Sequence, residues 1–332
     1  MKLKSGISII ICCYNSASRI AETLRNIFAV HIPTNFNYEL IIVDNNSTDE
    51  TKLVAWDAFE KYCQRGIHFR IIDENTPGLT SARKKGIQEA KYQLILFCDD
   101  DNHLHKDYIT VAKEIFDQDL SIGIAGGWCK PKLPFEPGRW IEDFYPALAI
   151  GKQGQRNGYV DCVFGAGMII RYDVFEKLDT RKITLMLSDR VGSKQTSGGD
   201  TEICAAARFI GYKIYYSEQL ILHHQISSHR LSWQSFIKAN FRNVFPLVYL
   251  HLMQTLIKDH GESISRIYGR SLRRSVSMVL HFLPRALFGR HRFYSFMMIY
   301  QNLQLFLWLL TRKEHFKYTA YGIKKNLYHG KK

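Results

Sequence analysis

Three consecutive aspartates, Asp99, Asp100 and Asp101, directly follow the apolar run LILFC at residues 94–98. Such a run predicts a buried strand, and carboxylates at the carboxyl end of a parallel strand lie where open α/β sheets bind ligands. Their hard oxygens suit Mg²⁺ or Mn²⁺ ions that bridge phosphate groups. An isolated run of aspartates is also common in turns and at helix caps. Here Asp44 ends a second apolar run, ELIIVD, so we predict that two strands bring acids to one edge of a sheet.

Short apolar runs alternate with helical patterns through the first half of the chain, which is typical of βαβ units and a mainly parallel sheet. Strands are predicted at residues 7–13, 39–44, 68–73, 94–98 and 165–170, and residues 197–216 read as loop, helix and strand. We expect Ser16 or Ser18 to cap the first helix, and Thr80 or Ser81 to cap a later one. Gly and Pro mark a loop-rich stretch over residues 123–158.

The positive charge of the chain is concentrated in its last part. The whole sequence of 332 residues carries a formal net charge of +14. Residues 230–332 contain 18 Lys and Arg against 3 acidic residues, a net charge of +15, which leaves −1 for residues 1–229. We therefore predict an α/β domain over residues 1–229 and a basic, helical region over residues 230–332.

The C-terminal region has helical periodicity. Apolar residues trace one helix face at Trp233, Phe236, Ile237, Phe241, Val244, Phe245 and Val248, with Asn240 among them. Residues 293–311 carry no charge over nineteen positions, a length that raises the possibility of a membrane span. However, Gln301, Asn302 and Gln304 lie near its middle and basic residues flank both ends. We therefore favour a helix that lies in the plane of a membrane surface.

The cysteines and the N-terminus bear on the cellular compartment. Seven cysteines are an odd number, they form no C-x-x-C motif and several lie in apolar runs, so we predict reduced thiols. The apolar run near the N-terminus is short, and polar residues without a small-residue cleavage site follow it. We expect no signal peptide and a cytoplasmic location.

Six segments occur in the order seen in family 2 glycosyltransferases: ISIIICCYN, ELIIVDNNSTDET, NTPGLTSARKKGI, LILFCDDDN, GAGMII and SGGDTEIC. The chain resembles that family from about residue 5 to residue 235. The resemblance implies a GT-A fold of two abutting α/β halves. It also implies inverting transfer of a sugar from a nucleotide donor, with a UDP-sugar favoured, to a saccharide or lipid-linked acceptor.

The resemblance assigns several residues to the donor. Asp44 would accept the N3 hydrogen of a uracil-type base, with Tyr14 and Asn15 beside the nucleotide. Arg83 would lie near the diphosphate, where a guanidinium can pair with phosphate oxygens. Without the resemblance, Asp44 would fit an ordinary turn residue, and Arg83, in the basic run 83–85, a solvated helix face.

The acidic triplet matches the D-x-D motif of the family. By resemblance, Asp99 faces the ribose and metal-bound water, Asp101 binds Mn²⁺ or Mg²⁺ at the diphosphate, and Asp100 is the spacer beside the donor. The metal would neutralise the charge of the leaving nucleoside diphosphate. His223 or His224 would complete the metal site or contact the diphosphate, although histidines are more often structural.

Inversion requires a general base for the attacking hydroxyl. The resemblance places this base at Asp200, although an Asp that precedes a helix also fits an N-cap. Gly199 stands where the family usually has a second acid, so Glu202 is an additional catalytic candidate. The segment HRLSW at 229–233 lies where processive synthases carry Q-x-x-R-W, and its missing Gln favours addition of one sugar at a time.

The motifs also bear on other function classes. A dinucleotide oxidoreductase would need G-x-G-x-x-G after the first strand, where this chain has CCYNSAS, and no P-loop motif is present. The basic, aromatic C-terminal region keeps open a nucleic-acid- or membrane-binding protein with a catalytically silent GT-A domain. We favour an enzyme without a nucleic-acid partner, whose C-terminal region contacts the cytoplasmic face of an anionic membrane.

Overall fold

The computed structural model describes residues 4–63, 66–136, 138–187, 198–232, 234–235, 244–259, 261–289 and 291–328. The chain separates into two compact units. Unit 1 comprises Met1–Pro134, Ala149–Thr180 and Leu185–Ile226, and unit 2 comprises Phe135–Leu148, Arg181–Thr184 and Ser227–Lys332. Two short segments that precede residue 185 therefore belong to the same unit as the C-terminal region.

Unit 1 contains the strands and six helices of the described residues. The strands are β1 (Lys4–Cys13), β2 (Asn37–Asp44), β3 (His68–Asp73), β4 (Tyr92–Phe97), β5 (Asn102–Leu104), β6 (Ile122–Lys132), β7 (Gly158–Val160), β8 (Ile169–Arg171) and β9 (Lys213–Gln225). The helices are α1 (Ile20–Phe28), α2 (Thr51–Tyr62), α3 (Leu79–Glu89), α4 (Tyr108–Gln118), α5 (Tyr172–Thr180) and α6 (Gly199–Phe209). The predicted strands at residues 7–13, 39–44, 68–73 and 94–98 are confirmed, as is the helix and strand order after residue 197, whereas the predicted strand at 165–170 begins only at Ile169.

The strands form a nine-stranded sheet in the order β3-β2-β1-β4-β8-β6-β9-β5, with β7 beside β9. The first four strands pair in parallel, as do β6 and β9, whereas β8, β5 and β7 pair antiparallel with their neighbours. The predicted α/β fold is confirmed, and its second half adds antiparallel pairs. Strand β1 is buried on both faces, which explains its continuous run of isoleucines.

The register brings several polar residues to one edge of the sheet. Cys13, Asp44 and Asp73 are register partners at the ends of β1, β2 and β3. Ile10 of β1 pairs with Phe97 at the end of β4, and the acidic triplet follows Phe97 after one residue. The predicted convergence of strand-end acids on one edge is confirmed.

The prediction of a loop-rich stretch over residues 123–158 is wrong in its first part, where β6 forms an eleven-residue strand. Its glycines allow close packing within the sheet. A Cβ atom added at Gly127 would lie 1.7 Å from the carbonyl oxygen of Leu220, and one at Gly126 would lie 2.7 Å from Val163 Cβ. Glycine in a strand commonly marks such a close approach, so these residues do not indicate a loop.

The predicted helix caps are also wrong. Helix α1 has Arg19 at its N-cap position and α3 has Gly78, and neither helix has a side-chain cap hydrogen bond. The Ser16 hydroxyl donates to Asp100 and is engaged in a tertiary contact. Gly78 has a φ of 128°, a conformation that other residues rarely adopt.

Unit 2 is helical. Its elements are a 3₁₀ helix at Arg139–Leu148, another at Ser228–Leu231, and α7 (Phe245–Lys258), α8 (Ile264–Phe288), α9 (Arg292–Thr311) and α10 (Lys313–Tyr328). The predicted helix face from Trp233 to Val248 lies largely outside the described residues. Among the residues that are described, no helix combines the length and hydropathy needed to cross a membrane. All seven cysteines are free.

Candidate active site

Asp44 is a buried carboxylate with one oxygen that has no partner. Its side chain is at the end of β2, and the residue is only 3% exposed. Oδ2 accepts a hydrogen bond from the backbone N–H of Ser47 at 3.3 Å, whereas Oδ1 is buried without a hydrogen-bond donor. Buried polar atoms are rarely left unpaired because their lost hydration is costly. The Oδ1 atom of Asp44 is therefore suited to accept a hydrogen bond from a ligand.

Two predicted nucleotide contacts lie beside the end of β1. Asn15 has a positive φ of 52°, and its Oδ1 accepts the backbone N–H of Thr48 at 2.8 Å. Ser47 Oγ accepts the backbone N–H of Asn15 at 3.0 Å. These bonds join the loop after β1 to the loop after β2. Tyr14 is half exposed, so its ring is available for contact with a ligand.

Asn45 holds the loop that precedes α3, a role that sequence reasoning missed. Its Nδ2 donates to the carbonyl oxygens of Glu74 and Thr76 at 2.7 and 2.8 Å, and its Oδ1 accepts the N–H of Gly78 at 2.7 Å. These three bonds fix the start of the helix that carries Arg83. The only signal in the sequence is an Asn directly after a strand, which also suits an ordinary turn.

The pKa of the Asp99 carboxylate is affected by burial and by neighbouring charged groups. Its backbone N–H donates to Oδ1 of Asn102 at 3.1 Å. Burial raises the pKa of Asp99, and the negative charge of Asp101 raises it further. The positive charges of Arg83 and His224 act in the opposite direction. The pKa of Asp99 therefore depends on burial and on the neighbouring Asp101, Arg83 and His224.

Asp100 connects the acidic triplet to α1. Its Oδ2 lies 2.6 Å from Nη2 of Arg19 and also accepts the Ser16 hydroxyl. The Asp100 carbonyl accepts the hydroxyl of Thr23 at 2.8 Å. Burial raises the pKa of Asp100, and Arg19 opposes this shift. The carboxylate of the spacer residue is therefore engaged within the protein, and its contact with the donor stays a prediction.

Of the two predicted histidines, the structure brings only His224 to Asp101. His224 is buried, and its Nε2 lies 3.4 Å from Oδ1 of Asp101. Neighbouring side chains on a strand point to opposite faces, and β9 pairs His224 with Asn102 but His223 with His103. The pKa of His223 is lowered by burial and by positive groups that include Lys130. His223 therefore faces a basic surface away from the triplet.

Asp200 lies in the first turn of α6 and binds two groups from elsewhere in unit 1. Its Oδ1 is 3.0 Å from Nη1 of Arg83, and its Oδ2 accepts the N–H of Gly165 at 2.7 Å. The N-cap of α6 is Gly198, so the alternative of Asp200 as an N-cap does not hold. A Cβ atom at Gly165 would lie within 2.6 Å of the Asp200 carboxylate, so only glycine leaves room for this arrangement.

Glu202 has a different environment from Asp200. It is completely buried, and its two carboxylate oxygens accept the backbone N–H groups of Met186 and Leu187 at 2.7 and 2.8 Å. A buried carboxylate that accepts two backbone hydrogen bonds anchors a chain segment. The position of Glu202 therefore does not favour the catalytic role predicted for it.

The described residues contain no group of three or more His, Cys, Asp or Glu side chains placed to hold a metal ion together. Asp101 and His224 form the closest approach of an acid and a histidine within the predicted set. Asp101 raises the pKa of Asp99, and His224 lowers it. Side-chain rearrangement or oxygen atoms from a ligand would be needed to complete a coordination shell here.

Curated relatives of the chain carry the names of glycosyltransferases or of polysaccharide biosynthesis proteins. The succinoglycan biosynthesis protein ExoM of Rhizobium meliloti is 24% identical over 242 residues, which cover 71% of this chain and 72% of ExoM. EpsH of Bacillus subtilis, which is named as a putative glycosyltransferase, is 32% identical over 106 residues, or 31% of this chain and 28% of EpsH. The match thus spans 28% of the length of EpsH and 72% of the length of ExoM.

Two solved structures share the fold over nearly the whole chain. Residues 1–349 of S. aureus TarS, in complex with UDP-GlcNAc, match with a TM-score of 0.57 and 13% identity, covering 97% of this chain and 89% of that one. The mannosyltransferase PcManGT from Pyrobaculum calidifontis, in complex with GDP-Man and Mn²⁺, matches with a TM-score of 0.56 and 16% identity, covering 93% and 91%. At these identities the likeness shows a shared GT-A fold.

A family profile assigns the first part of unit 1. The profile described as glycosyl transferase family 2 matches residues 8–179, slightly more than half of the 332 residues. This range contains β1 to β4 and the acidic triplet. The chain therefore belongs to glycosyl transferase family 2.

Proposed function

We propose that this protein is an inverting glycosyltransferase that moves one sugar from a nucleoside diphosphate donor, with a UDP-sugar favoured, to a hydroxyl of a saccharide or lipid-linked acceptor. The observation that carries the proposal is the position of Arg83. Its guanidinium pairs with Asp200 at 3.0 Å, and its charge acts on Asp99. One cation thus interacts with both the acidic triplet and the acid at the start of α6.

The donor nucleotide would bind at the ends of β1 and β2. The unpaired Oδ1 of Asp44 is an acceptor for the N3–H group of uracil. Tyr14 and Asn15 lie in the adjoining loop. The diphosphate would lie beside Arg83, whose planar guanidinium can pair with two phosphate oxygens.

Asp99, Asp101 and His224 would hold a divalent metal together with oxygens of the diphosphate. The two aspartates fit Mn²⁺ or Mg²⁺, since carboxylate oxygens are preferred ligands of both ions. The raised pKa of Asp99, caused by burial and by Asp101, indicates that negative charge is concentrated where a cation would relieve it. The bound metal would supply Lewis-acid stabilisation of the leaving diphosphate. PcManGT, which shares the fold, was solved in complex with GDP-Man and Mn²⁺.

Asp200 would act as the general base. The acceptor hydroxyl oxygen forms a bond to the anomeric carbon of the donor sugar as the bond from that carbon to the diphosphate breaks. The electron pair of that bond leaves with the nucleoside diphosphate, and the hydroxyl proton passes to Asp200. The N–H of Gly165 orients one oxygen of Asp200, and Arg83 binds the other.

The roles proposed for Arg83 and Asp200 require the ion pair between them to change when the donor binds. A guanidinium that turns toward the diphosphate releases Oδ1 of Asp200. The released oxygen can then accept a proton from the acceptor. Donor binding would in this way free Oδ1 of Asp200 to accept the proton of the acceptor. When the donor is absent, Arg83 would pair with that oxygen.

A nucleotide-sugar screen by thermal shift, with and without Mn²⁺, tests the proposal, because a ligand that binds only the folded state raises its apparent stability. We expect a metal-dependent shift with a UDP-sugar that is lost in Asp101→Ala. The exposed Asp117, paired with Lys113 on α4, provides the matched control Asp117→Ala. Asp200→Asn should keep the shift and lose transfer to acceptor. Normal turnover by Asp200→Asn would eliminate Asp200 as the base.

A further inference from the structure

Helix α8 carries an exposed apolar stripe. Val276, Leu280, Leu283 and Leu287 recur at spacings of four, three and four residues, which place them on one face of a helix. All four are exposed, and Leu280 is 63% exposed. The buried residues of this helix, which include Ser271, occupy another face. Leucines in such numbers on a surface helix are unusual unless something covers them.

Helix α9 carries a second stripe of the same kind. Phe296, Tyr300, Leu303, Leu307 and Leu310 recur at spacings of three or four residues. All of them are exposed, and Leu307 is 58% exposed. The twenty residues of α9 extend over about 30 Å at 1.5 Å per residue. The stripe therefore runs along most of the helix.

The two helices pack against each other on faces other than these stripes. The hydroxyl of Tyr268 on α8 donates to the carbonyl oxygen of Leu309 on α9 at 3.0 Å. The rings of Phe282 and Tyr294 meet edge to face at the end where the helices are joined, with centroids 5.9 Å apart. Leu309 is completely buried, whereas its neighbour Leu310 is half exposed. These contacts between the two helices therefore involve none of the stripe residues.

We propose that the two stripes form a docking surface for an anionic lipid membrane, which we call the α8–α9 apolar surface and define by the nine residues of the stripes. The charge of the same helix favours this occupant. Arg266, Arg270, Arg273 and Arg274 are all exposed on α8, and Arg273 lies one helical turn before Val276. Amphipathic helices with basic flanks insert their apolar side chains between lipids while the cations pair with anionic headgroups.

A second copy of this chain is a less suitable occupant. In a symmetric dimer through this surface, the same patch contacts itself, so the arginines of α8 would approach those of the partner. Like charges at an interface are unfavourable unless acids compensate them. Unit 2 has few acids after residue 227, where Asp259, Glu262 and Glu314 stand against eighteen Lys and Arg. An anionic headgroup layer supplies the opposite charge.

Flotation with phosphatidylglycerol-containing phosphatidylcholine vesicles tests the proposal, with vesicles of phosphatidylcholine alone as the reference. We expect the full chain to bind the anionic vesicles and to dissociate as salt is raised. The double variant Leu283→Gln/Leu307→Gln should bind at least about tenfold more weakly, since two leucine contacts with lipid are lost. Arg273→Gln/Arg274→Gln should lose the preference for phosphatidylglycerol.

Leu120→Gln provides a matched control, because Leu120 is a 77% exposed leucine of unit 1. It should bind vesicles as the unchanged protein does. Thermal unfolding checks that each variant is folded, and exposed positions should tolerate Gln.

Absence of binding to anionic vesicles, or equal binding by the double variant, overturns the proposal. If light scattering showed a dimer that only Leu283→Gln/Leu307→Gln loses, the surface would be assigned to a second copy of the chain. Neither result depends on sugar transfer, so the docking proposal stands or fails separately from the proposed enzyme.

Discussion

Nη1 of Arg83 lies 3.0 Å from Oδ1 of Asp200, although the two residues are 117 positions apart in the sequence. The guanidinium also lies over the ring of Phe97, with its centre 5.1 Å from the ring centroid. Stacking on the last residue of β4 positions Arg83 between the strand that delivers the triplet and the helix that begins at Gly199. The same cation is thereby available to a diphosphate and to the proposed base.

Replacement of Arg83 by Gln should weaken donor binding. A hydrogen-bonded charge contributes about 1.5–3 kcal/mol, which corresponds to roughly 10- to 100-fold in the dissociation constant of UDP. Isothermal titration calorimetry with UDP and Mn²⁺ measures this change. Arg208→Gln is the matched control, because Arg208 pairs with the exposed Asp161 at 2.7 Å. An unchanged UDP affinity in Arg83→Gln would remove Arg83 from the donor site.

Asp44→Asn should change which base the protein prefers. The substitution keeps the shape of the side chain but allows an amide N–H to replace the unpaired Oδ1. An N–H group there would oppose the N3–H of uracil and suit the unprotonated N3 of cytosine. We expect UDP affinity to fall about tenfold or more, and CDP affinity to fall less.

Asp73→Asn is a well-matched control for Asp44→Asn. Asp73 is the register partner of Asp44 at the end of the neighbouring strand β3, and it is exposed and paired with Lys52 at 3.0 Å. Nucleotide affinities measured by calorimetry should be unchanged in Asp73→Asn. Equal losses of UDP and CDP affinity in Asp44→Asn would indicate that Asp44 shapes the loop and does not contact the base.

Glu202→Gln should destabilise the protein and leave the catalytic step largely intact. An amide has one acceptor oxygen, so it cannot accept both backbone N–H groups that Glu202 binds. The loss of one buried hydrogen bond costs about 1–3 kcal/mol of unfolding free energy. Chemical denaturation measures this loss, and turnover at saturating donor should remain within a few-fold. Asp200→Asn should show the reverse pattern, and a Glu202→Gln variant that is stable but inactive would restore Glu202 as a catalytic candidate.

The local parts of the fold and site were predictable from the sequence, and the long-range parts were not. The strands that end in Asp44 and Asp99 follow from apolar runs and the carboxylates after them. The pairing of Arg83 with Asp200 could not be inferred, because it depends on how α3 and α6 approach each other. Glu202 was assigned to the site because it is close to Asp200 in sequence, but residues two apart on a helix face different directions.

Two further points have physical causes that the sequence reveals in part. The choice between His223 and His224, which the sequence left open, is narrowed by strand alternation, since neighbouring side chains point to opposite faces and His224 lies beside Asp101. The glycines of β6 were interpreted as loop markers, whereas Gly127 allows the carbonyl of Leu220 to approach the strand. Only the three-dimensional packing distinguishes these two uses of glycine.

The pH dependence of stability should reveal His251 in unit 2. Burial lowers the pKa of His251 from its ordinary value of 6.5, and the charges of Arg274 and Arg270 lower it further. In the unfolded chain His251 binds a proton near pH 6.5, whereas in the folded protein it does so only at lower pH. Between these two values the unfolded state binds more protons, so the unfolding free energy decreases as pH falls. The contribution of His251 to the unfolding free energy is fully present above about pH 6.5 and is lost as the pH falls below that value. The unfolding free energy then changes by at most about 1.4 kcal/mol per pH unit.

His251→Gln should remove this contribution while keeping a group that can hydrogen-bond to Ser271 Oγ, which lies 3.1 Å from His251 Nε2. Urea denaturation at several pH values between 5 and 8, close to the range in which histidine titrates, would show a shallower decrease in stability for the variant than for the unchanged protein. Ser271→Ala is the control, because it removes the hydrogen-bond partner but keeps the titrating ring. It should shift the unfolding free energy at all pH values and preserve its slope. Identical slopes in the unchanged protein and His251→Gln would mean that other groups cause the acid sensitivity.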